Sequence, residues 1–210
     1  MEQETFYHIY NHANGNEDLF RTADNYDFFL KRFGHFIIPV ADTYAYCLMP
    51  NHFHFLIRTK EFTEIQNLQG YKKNLGGYSA DDLQGFPSNL GGLTQKYISQ
   101  QFSNFFNSYS KSFNSVFNRK GALFQPNFKS KPVQTEAYYS KLIHYIHANP
   151  VHHGFVNNIE DWPYSSYHTF LSNKKTLLKR DDILEWFNGK DDFIKYHKQP
   201  IDPKTDFDFD

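Results

Sequence analysis

Apolar and polar positions change their period several times along this chain, and each change marks an element. Residues 5–12 alternate, which predicts a strand, and Asn14-Gly15-Asn16 is a turn signal. Asp24 and Asn25 then cap a helical stretch in which Tyr26, Phe29, Leu30 and Phe33 share a face, with Pro39 ending it. Residues 43–48 and 52–59 read as two more strands, separated by Met49-Pro50-Asn51. From about residue 60 to 92 the pattern dissolves into Gly, Asn, Asp and Ser, which predicts a mobile insertion holding one short helix. Leu93, Tyr97, Ile98, Phe102, Phe105, Phe106, Tyr109 and Phe113 follow at three- and four-residue steps, the signature of a long amphipathic helix.

The second half is shorter in rhythm. Residues 121–126 form a turn-rich link, residues 127–133 a fourth strand, and residues 135–149 a helix with Glu136 favourably placed near its N-terminus and Pro150 closing it. One more helix is predicted near residues 181–188, before a loose acidic end. Strands separated by helices without a regular strand–helix alternation imply an α+β fold, with one sheet and two main helices. We divide the chain into a main domain, residues 1–175, and a C-terminal helix and acidic tail, residues 176–210.

Composition alters this picture in two places. The 23 Phe and 15 Tyr raise aromatics to 19% of the chain, which suits either a Phe-rich core or rings exposed for stacking on bases. The formal net charge of -1 hides a division: no acidic residue lies between Asp82 and Glu136, where Lys96, Lys111, Arg119, Lys120, Lys129 and Lys131 occur, while the end of the chain is acidic. An acid-free basic stretch interleaved with Phe, Tyr, Asn and Gln suits a polyanion with exposed bases, or else a polar surface helix and loop. The lone Cys47 excludes an internal disulfide and a cysteine-rich zinc site. An acidic start without a following apolar run argues against a secretory signal, and no run of apolar residues is long enough to span a membrane. The expectation is a cytoplasmic protein.

Two clusters carry candidate chemistry. In Pro50-Asn51-His52-Phe53-His54-Phe55-Leu56-Ile57-Arg58, strand alternation points His52, His54, Leu56 and Arg58 one way and Phe53, Phe55 and Ile57 the other. Two imidazoles on one face are close enough to grip a divalent ion; they also suit an exposed or hydrogen-bonded pair. In the later helix Tyr145 and Asn149 are four apart and so share a side, which brings a hydroxyl nucleophile and an amide oxygen together, unless Tyr145 is merely a half-buried aromatic. Pro150 biases Asn149 away from helical geometry. Arg119, Lys120, Lys129 and Lys131 are the candidates for phosphate contacts.

His52-Phe53-His54 resembles the histidine-hydrophobe-histidine motif of single-tyrosine HUH nucleases. The string Tyr145-Ile146-His147-Ala148-Asn149-Pro150-Val151-His152-His153-Gly154, followed by Asp161-Trp162-Pro163-Tyr164-Ser165-Ser166, resembles the REP-associated tyrosine transposase group of the IS200-like superfamily. Tyr7-His8-Ile9, Leu48-Met49-Pro50-Asn51 and Phe124-Gln125-Pro126-Asn127-Phe128 match as well, in the family's order across most of residues 5–170.

The resemblance implies a ferredoxin-like antiparallel sheet with helices packed on one face and the histidines on a central strand. It makes His52, His54 and Asn149 ligands of Mg²⁺ or Mn²⁺ and Tyr145 the nucleophile that forms a 5′-phosphotyrosine link. The implied partner is single-stranded DNA, folded as an imperfect palindromic hairpin, acted on by a monomer or homodimer. Two neighbouring readings are a hairpin-binding module that no longer cuts and a replication initiator. Initiators carry a lysine three residues after the tyrosine, and here that position is Ala148.

Overall fold

In a computed structural model the fold is described for residues 1–66, 87–133 and 135–200. Four strands, β1 (Phe6–His12), β2 (Ala41–Met49), β3 (His52–Thr59) and β4 (Lys129–Val133), form one antiparallel sheet in the order β2-β3-β1-β4. Helix α1 (Ala23–Phe36) connects β1 to β2. The short α2 (Phe62–Gln66) and the long α3 (Pro87–Val116) lie between β3 and β4. This order is the ferredoxin-like one: each helical crossover skips a strand, and the skipped place is filled by a strand from the other half.

Alternation on β3 sorts the sheet into two faces. Phe53, Phe55 and Ile57 join Ile9, Leu48, α1 and α3 in one buried cluster, while Leu56 joins Ala45, Cys47 and Met49 in another. Helix α1 begins at Thr22, where the Asn25 Oδ1 accepts from the Thr22 and Arg21 amides at 3.2 and 2.9 Å. The cap therefore lies two residues before the Asp24-Asn25 pair, with Asn25 folding back to satisfy amides that the first turn leaves open. Its buried stripe is Tyr26, Phe29 and Phe33. On α3 the stripe is Ile98, Phe102, Phe105, Tyr109 and Phe113, all under 4% exposed. Phe29 is fully buried against the rings of Phe20, Phe53, Phe105 and Tyr109, with centroids 4.8–5.3 Å apart. Cutting it to alanine costs about 3–5 kcal/mol. Among the described residues Phe155 is the only exposed Phe, Tyr or Trp ring, so most of the aromatic surplus is core.

The opposite face is covered too. Helix α4 (Glu136–His152) lays Leu142, Ile143, Tyr145, Ile146 and Ala148 over Leu56, Cys47 and Met49. The expected helix layer on one face is thus joined by a second layer, and the sheet is sandwiched. Helix α4 also continues through Pro150, where an end had been expected. The missing proline amide falls in the last turn, so a single bond to Ile146 is lost, and the chain recovers by donating His153 N to Asn149 O (3.0 Å) and Phe155 N to Pro150 O (2.9 Å). Gly154 at φ +71 then takes the left-handed conformation that closes the helix.

Three short helices follow: α5 (Tyr167–Leu171), α6 (Arg180–Trp186) and α7 (Lys190–His197). Ile183, Phe187 and Phe193 pack into the same cluster as α4. The segment 161–166 runs antiparallel beside β2, with Leu48 N donating to Tyr164 O and Ser166 N to Tyr46 O, both at 2.9 Å. It covers the free edge of β2, and among the described residues β4 is the open edge. Part of the expected mobile insertion, residues 67–86, and the acidic end, residues 201–210, lie outside the described residues. No described helix is long and apolar enough to cross a membrane.

Candidate active site

The pairing of β1 with β3 builds the site. Register places Tyr10 opposite His54 and His12 opposite His52, so the α4 face of these two strands carries His8, Tyr10, His12, His52 and His54 side by side. His54 is buried, and its Nδ1 lies 2.9 Å from His8 Nε2. His52 Nδ1 donates to Asn51 Oδ1 at 2.7 Å. In the tautomer where His54 Nδ1–H donates to His8, both members of the pair have Nδ1 engaged and keep an Nε2 lone pair.

Burial reinforces that state. His52 is pushed down to about 3 by desolvation and then by His12 and His153. His54 is held well below the usual histidine range by burial and then by His8. His8 falls to about 3 through burial and the nearby Lys131 ammonium. Each is neutral at neutral pH, the form in which an imidazole binds a metal.

Helix α4 supplies the remainder. The Tyr145 ring stands edge-on to His54, centroids 5.6 Å apart and planes at 85°. Asn149 is buried, with its side chain close enough to His52 to oppose part of the fall in that ring's pKa, and it donates Nδ2 to Tyr145 O at 3.3 Å. Because α4 stays helical through Pro150, Tyr145 and Asn149 keep their one-turn spacing over β3. His52, His54, Tyr145 and Asn149 therefore meet at one place. Among the described residues no group of three or more His, Cys, Asp and Glu side chains is arranged to hold a metal ion. The set that fits here is smaller and mixed: two imidazole Nε2 atoms and one carboxamide, all neutral.

The basic candidates separate. Lys129 and Lys131 project from the α4 face of β4, opposite Tyr10 and His8, and so flank the histidines. Arg119 does not join them. Its guanidinium pairs with Glu17 at 3.1 Å and donates to Asn114, Gly121 and Ala122, bracing the turn after α3. Lys120 is exposed in the same turn.

His8 was matched in the sequence without a role, and His12 with no match at all. Their place at the site depends on β1 lying beside β3, which local alternation cannot reveal. His12 stacks on His52 with centroids 4.6 Å apart, and His153 stands 4.7 Å from the same ring. His152 lies 6.2 Å from Tyr145. His144 and His147 turn away into the core: His147 Nδ1 is 2.9 Å from His197 Nε2, and its Nε2 is 2.8 Å from Ser166 Oγ.

Fold and site together define a class: a ferredoxin-like sheet whose central strand shows a histidine pair to a helix-borne tyrosine and asparagine. Comparison with known proteins gives the class a group. A curated Haemophilus influenzae protein, provisionally named as a REP-associated tyrosine transposase, is 26% identical over 129 residues, covering 60% of this chain and 59% of that protein. An Escherichia coli REP-associated tyrosine transposase is 33% identical over 67 residues, 32% of this chain and 40% of that protein. The chain thus spans less than two thirds of either relative's length. A solved structure of a REP-associated tyrosine transposase bound to a REP hairpin shares the fold, with a TM-score of 0.50, 19% identity and 82% of each chain covered. No family model matches the chain. The relatives and the solved neighbour support the REP-associated tyrosine transposase group as the one this chain resembles in sequence and in fold.

Proposed function

We propose that the chain is a metal-dependent strand-transferring nuclease, a transposase acting at hairpins of single-stranded DNA through Tyr145. The observation that carries this reading is the meeting of Tyr145 with His54 and of Asn149 with His52 across α4 and β3. A structural tyrosine has no need of two neutral, ligand-ready imidazoles beneath it.

His52, His54 and Asn149 would hold the ion, Mg²⁺ or Mn²⁺. When bound, it polarises the phosphate oxygens and offsets charge that builds up in the transition state. The rest belongs to the chain. The Tyr145 hydroxyl oxygen bonds to phosphorus as the P–O3′ bond breaks, and the phenol proton passes by way of water to the departing 3′ oxygen. One phosphodiester replaces another, so the step reverses without an energy source. Asn51 and His8 hold the two imidazole rings in register. Lys129 and Lys131 neutralise flanking phosphates, which fixes the strand without reading its sequence. Lys120 stays a candidate phosphate contact in the turn after α3, apart from that pair, while Arg119 braces the turn.

The test is a denaturing-gel assay on single-stranded hairpin DNA from around the gene, with wild type and Tyr145→Phe, with and without Mn²⁺ or Mg²⁺. A metal-dependent covalent protein–DNA adduct that disappears in Tyr145→Phe is expected. Hairpin binding without any adduct points to a binding module that no longer cuts. An adduct that survives in Tyr145→Phe assigns the nucleophile elsewhere.

A further inference from the structure

The motif Phe124-Gln125-Pro126-Asn127-Phe128 carries none of the chemistry described so far, yet it lines one side of an open cavity of about 540 Å³. Phe106 and Asn107 of α3 and Asn11 of β1 complete the walls that matter here. No lining residue is charged, so the cavity is unsuited to a phosphate or a carboxylate. Its polar side chains are the carboxamides of Asn11, Asn107, Gln125 and Asn127 and the hydroxyls of Ser103 and Ser110, and each carboxamide carries N–H donors beside a C=O acceptor. That is the mixed pattern on the edge of a nucleobase. The apolar wall is aromatic: Phe106 and Phe128 lie 5.3 Å apart at 46°, with Phe128 half-buried. A base has a flat face for such a wall and an edge for the amides.

Position makes the match specific. Asn11 faces the cavity, and the next residue, His12, faces the other way and stacks on His52. The two sides are tied together, because Gln125 N donates to His12 O at 2.9 Å and Asn11 Nδ2 donates to Gln125 O at 3.2 Å. Only the end of β1 separates the cavity from the histidine pair. Asn107, Gln125 and Asn127 are exposed, and among the described residues no hydrogen bond holds their side-chain amides.

We propose that this cavity receives one unpaired nucleobase of the bound strand, close to the nucleotide whose phosphate lies at His52 and His54. The proposal rests on the DNA reading given above. It assigns the cavity to base recognition and β4 to backbone contact, so that sequence choice and electrostatic grip sit on different sides of β1.

The experiment measures hairpin affinity by fluorescence anisotropy, using a hairpin with single-stranded flanks in which each unpaired nucleotide in turn is made abasic. Wild type is compared with Asn107→Ala/Gln125→Ala and with Gln125→Ala alone, and thermal melts confirm that these exposed substitutions leave the fold intact. In wild type one abasic position is expected to weaken binding about tenfold. In the double variant the same position is expected to add less than a factor of two, because the site that read the base is already lost. The proposal is overturned if the variants bind every oligonucleotide as wild type does, or if abasic and variant losses multiply at every position. A wild type that binds no hairpin at all refutes the underlying DNA reading, which separates the two failures.

Discussion

Replacing His8 with leucine tests how the metal-ready state of His54 is set. His8 is fully buried, its Nε2 lies 2.9 Å from His54 Nδ1, and its ring stacks on His54 at 5.0 Å and on Tyr10 at 4.8 Å. Leucine fills most of the volume and removes the acceptor. His54 is 4% exposed, so water cannot easily replace the lost partner, and a buried N–H left unsatisfied costs about 1–3 kcal/mol. The ring is then also free to change tautomer and turn its lone pair away from the site. Loss of a group that orients a ligand histidine typically lowers metal affinity about 10–100-fold, which is about 1.4–2.8 kcal/mol. Isothermal titration with Mn²⁺ and urea unfolding would be run on wild type, His8→Leu and His8→Gln. His8→Leu is expected to show both losses. His8→Gln keeps an acceptor carbonyl within reach and is expected to recover most of the affinity. If His8→Leu binds Mn²⁺ within a factor of two of wild type, the orienting role is wrong. If wild type itself does not bind Mn²⁺, the ligand assignment of His52 and His54 fails with it.

Three further outcomes are expected. Lys129→Ala and Lys131→Ala should each lower the slope of log affinity against log salt for hairpin binding by about 1, with little change in sequence preference; an unchanged slope removes β4 from the DNA path. Acid should destabilise the fold through its buried neutral histidines. Burial holds His197 at about 3 and His144 at about 4, whereas an unfolded histidine titrates near 6.5. Below pH 6.5 the unfolded chain therefore binds more protons, so stability falls with pH until the folded values are reached. At pH 5 the loss is about 2 kcal/mol for His197 alone. Urea midpoints of His197→Leu should depend less on pH between 7 and 5 than those of wild type, and equal slopes would refute this. Finally, Asn149→Ala should weaken Mn²⁺ binding and leave hairpin affinity in chelator unchanged, and titrations in both conditions would show whether it does.

Much of this was legible wherever the information is local. Alternation in residues 52–59 placed the histidines on one face of β3 and the phenylalanines on the other, since strand geometry leaves no other choice. The stripe from Ile98 to Phe113 likewise predicted α3. Three features were not local. Pro150 signals a helix end in isolation, but in α4 it costs a single bond in a terminal turn whose other face is already buried over β2 and β3. The adjacency of β1 and β3, which brings His8 and His12 to the pair, depends on long-range pairing. Arg119 looked like a phosphate contact because the acid-free stretch held no partner for it, yet Glu17 reaches it from the loop after β1. Helix α7 had a quieter sequence signal, Gly189 followed by Asp191 and Asp192, and in the structure that glycine stands before the helix at φ +110 with both acids in the first turn.

The two rims of the sheet differ in what they admit. The β2 rim is already occupied by the chain itself through residues 161–166. Among the described residues no strand pairs with the outer edge of β4, which carries Lys129, Lys131 and Pro132, and proline offers no amide for another strand to bond. Two copies meeting rim to rim would set lysine against lysine along a ladder with a missing rung. A rim of this kind thus disfavours edge-to-edge pairing between copies of the chain. On the DNA reading proposed above, copies brought close together on one nucleic acid would be kept from pairing into a continuous sheet.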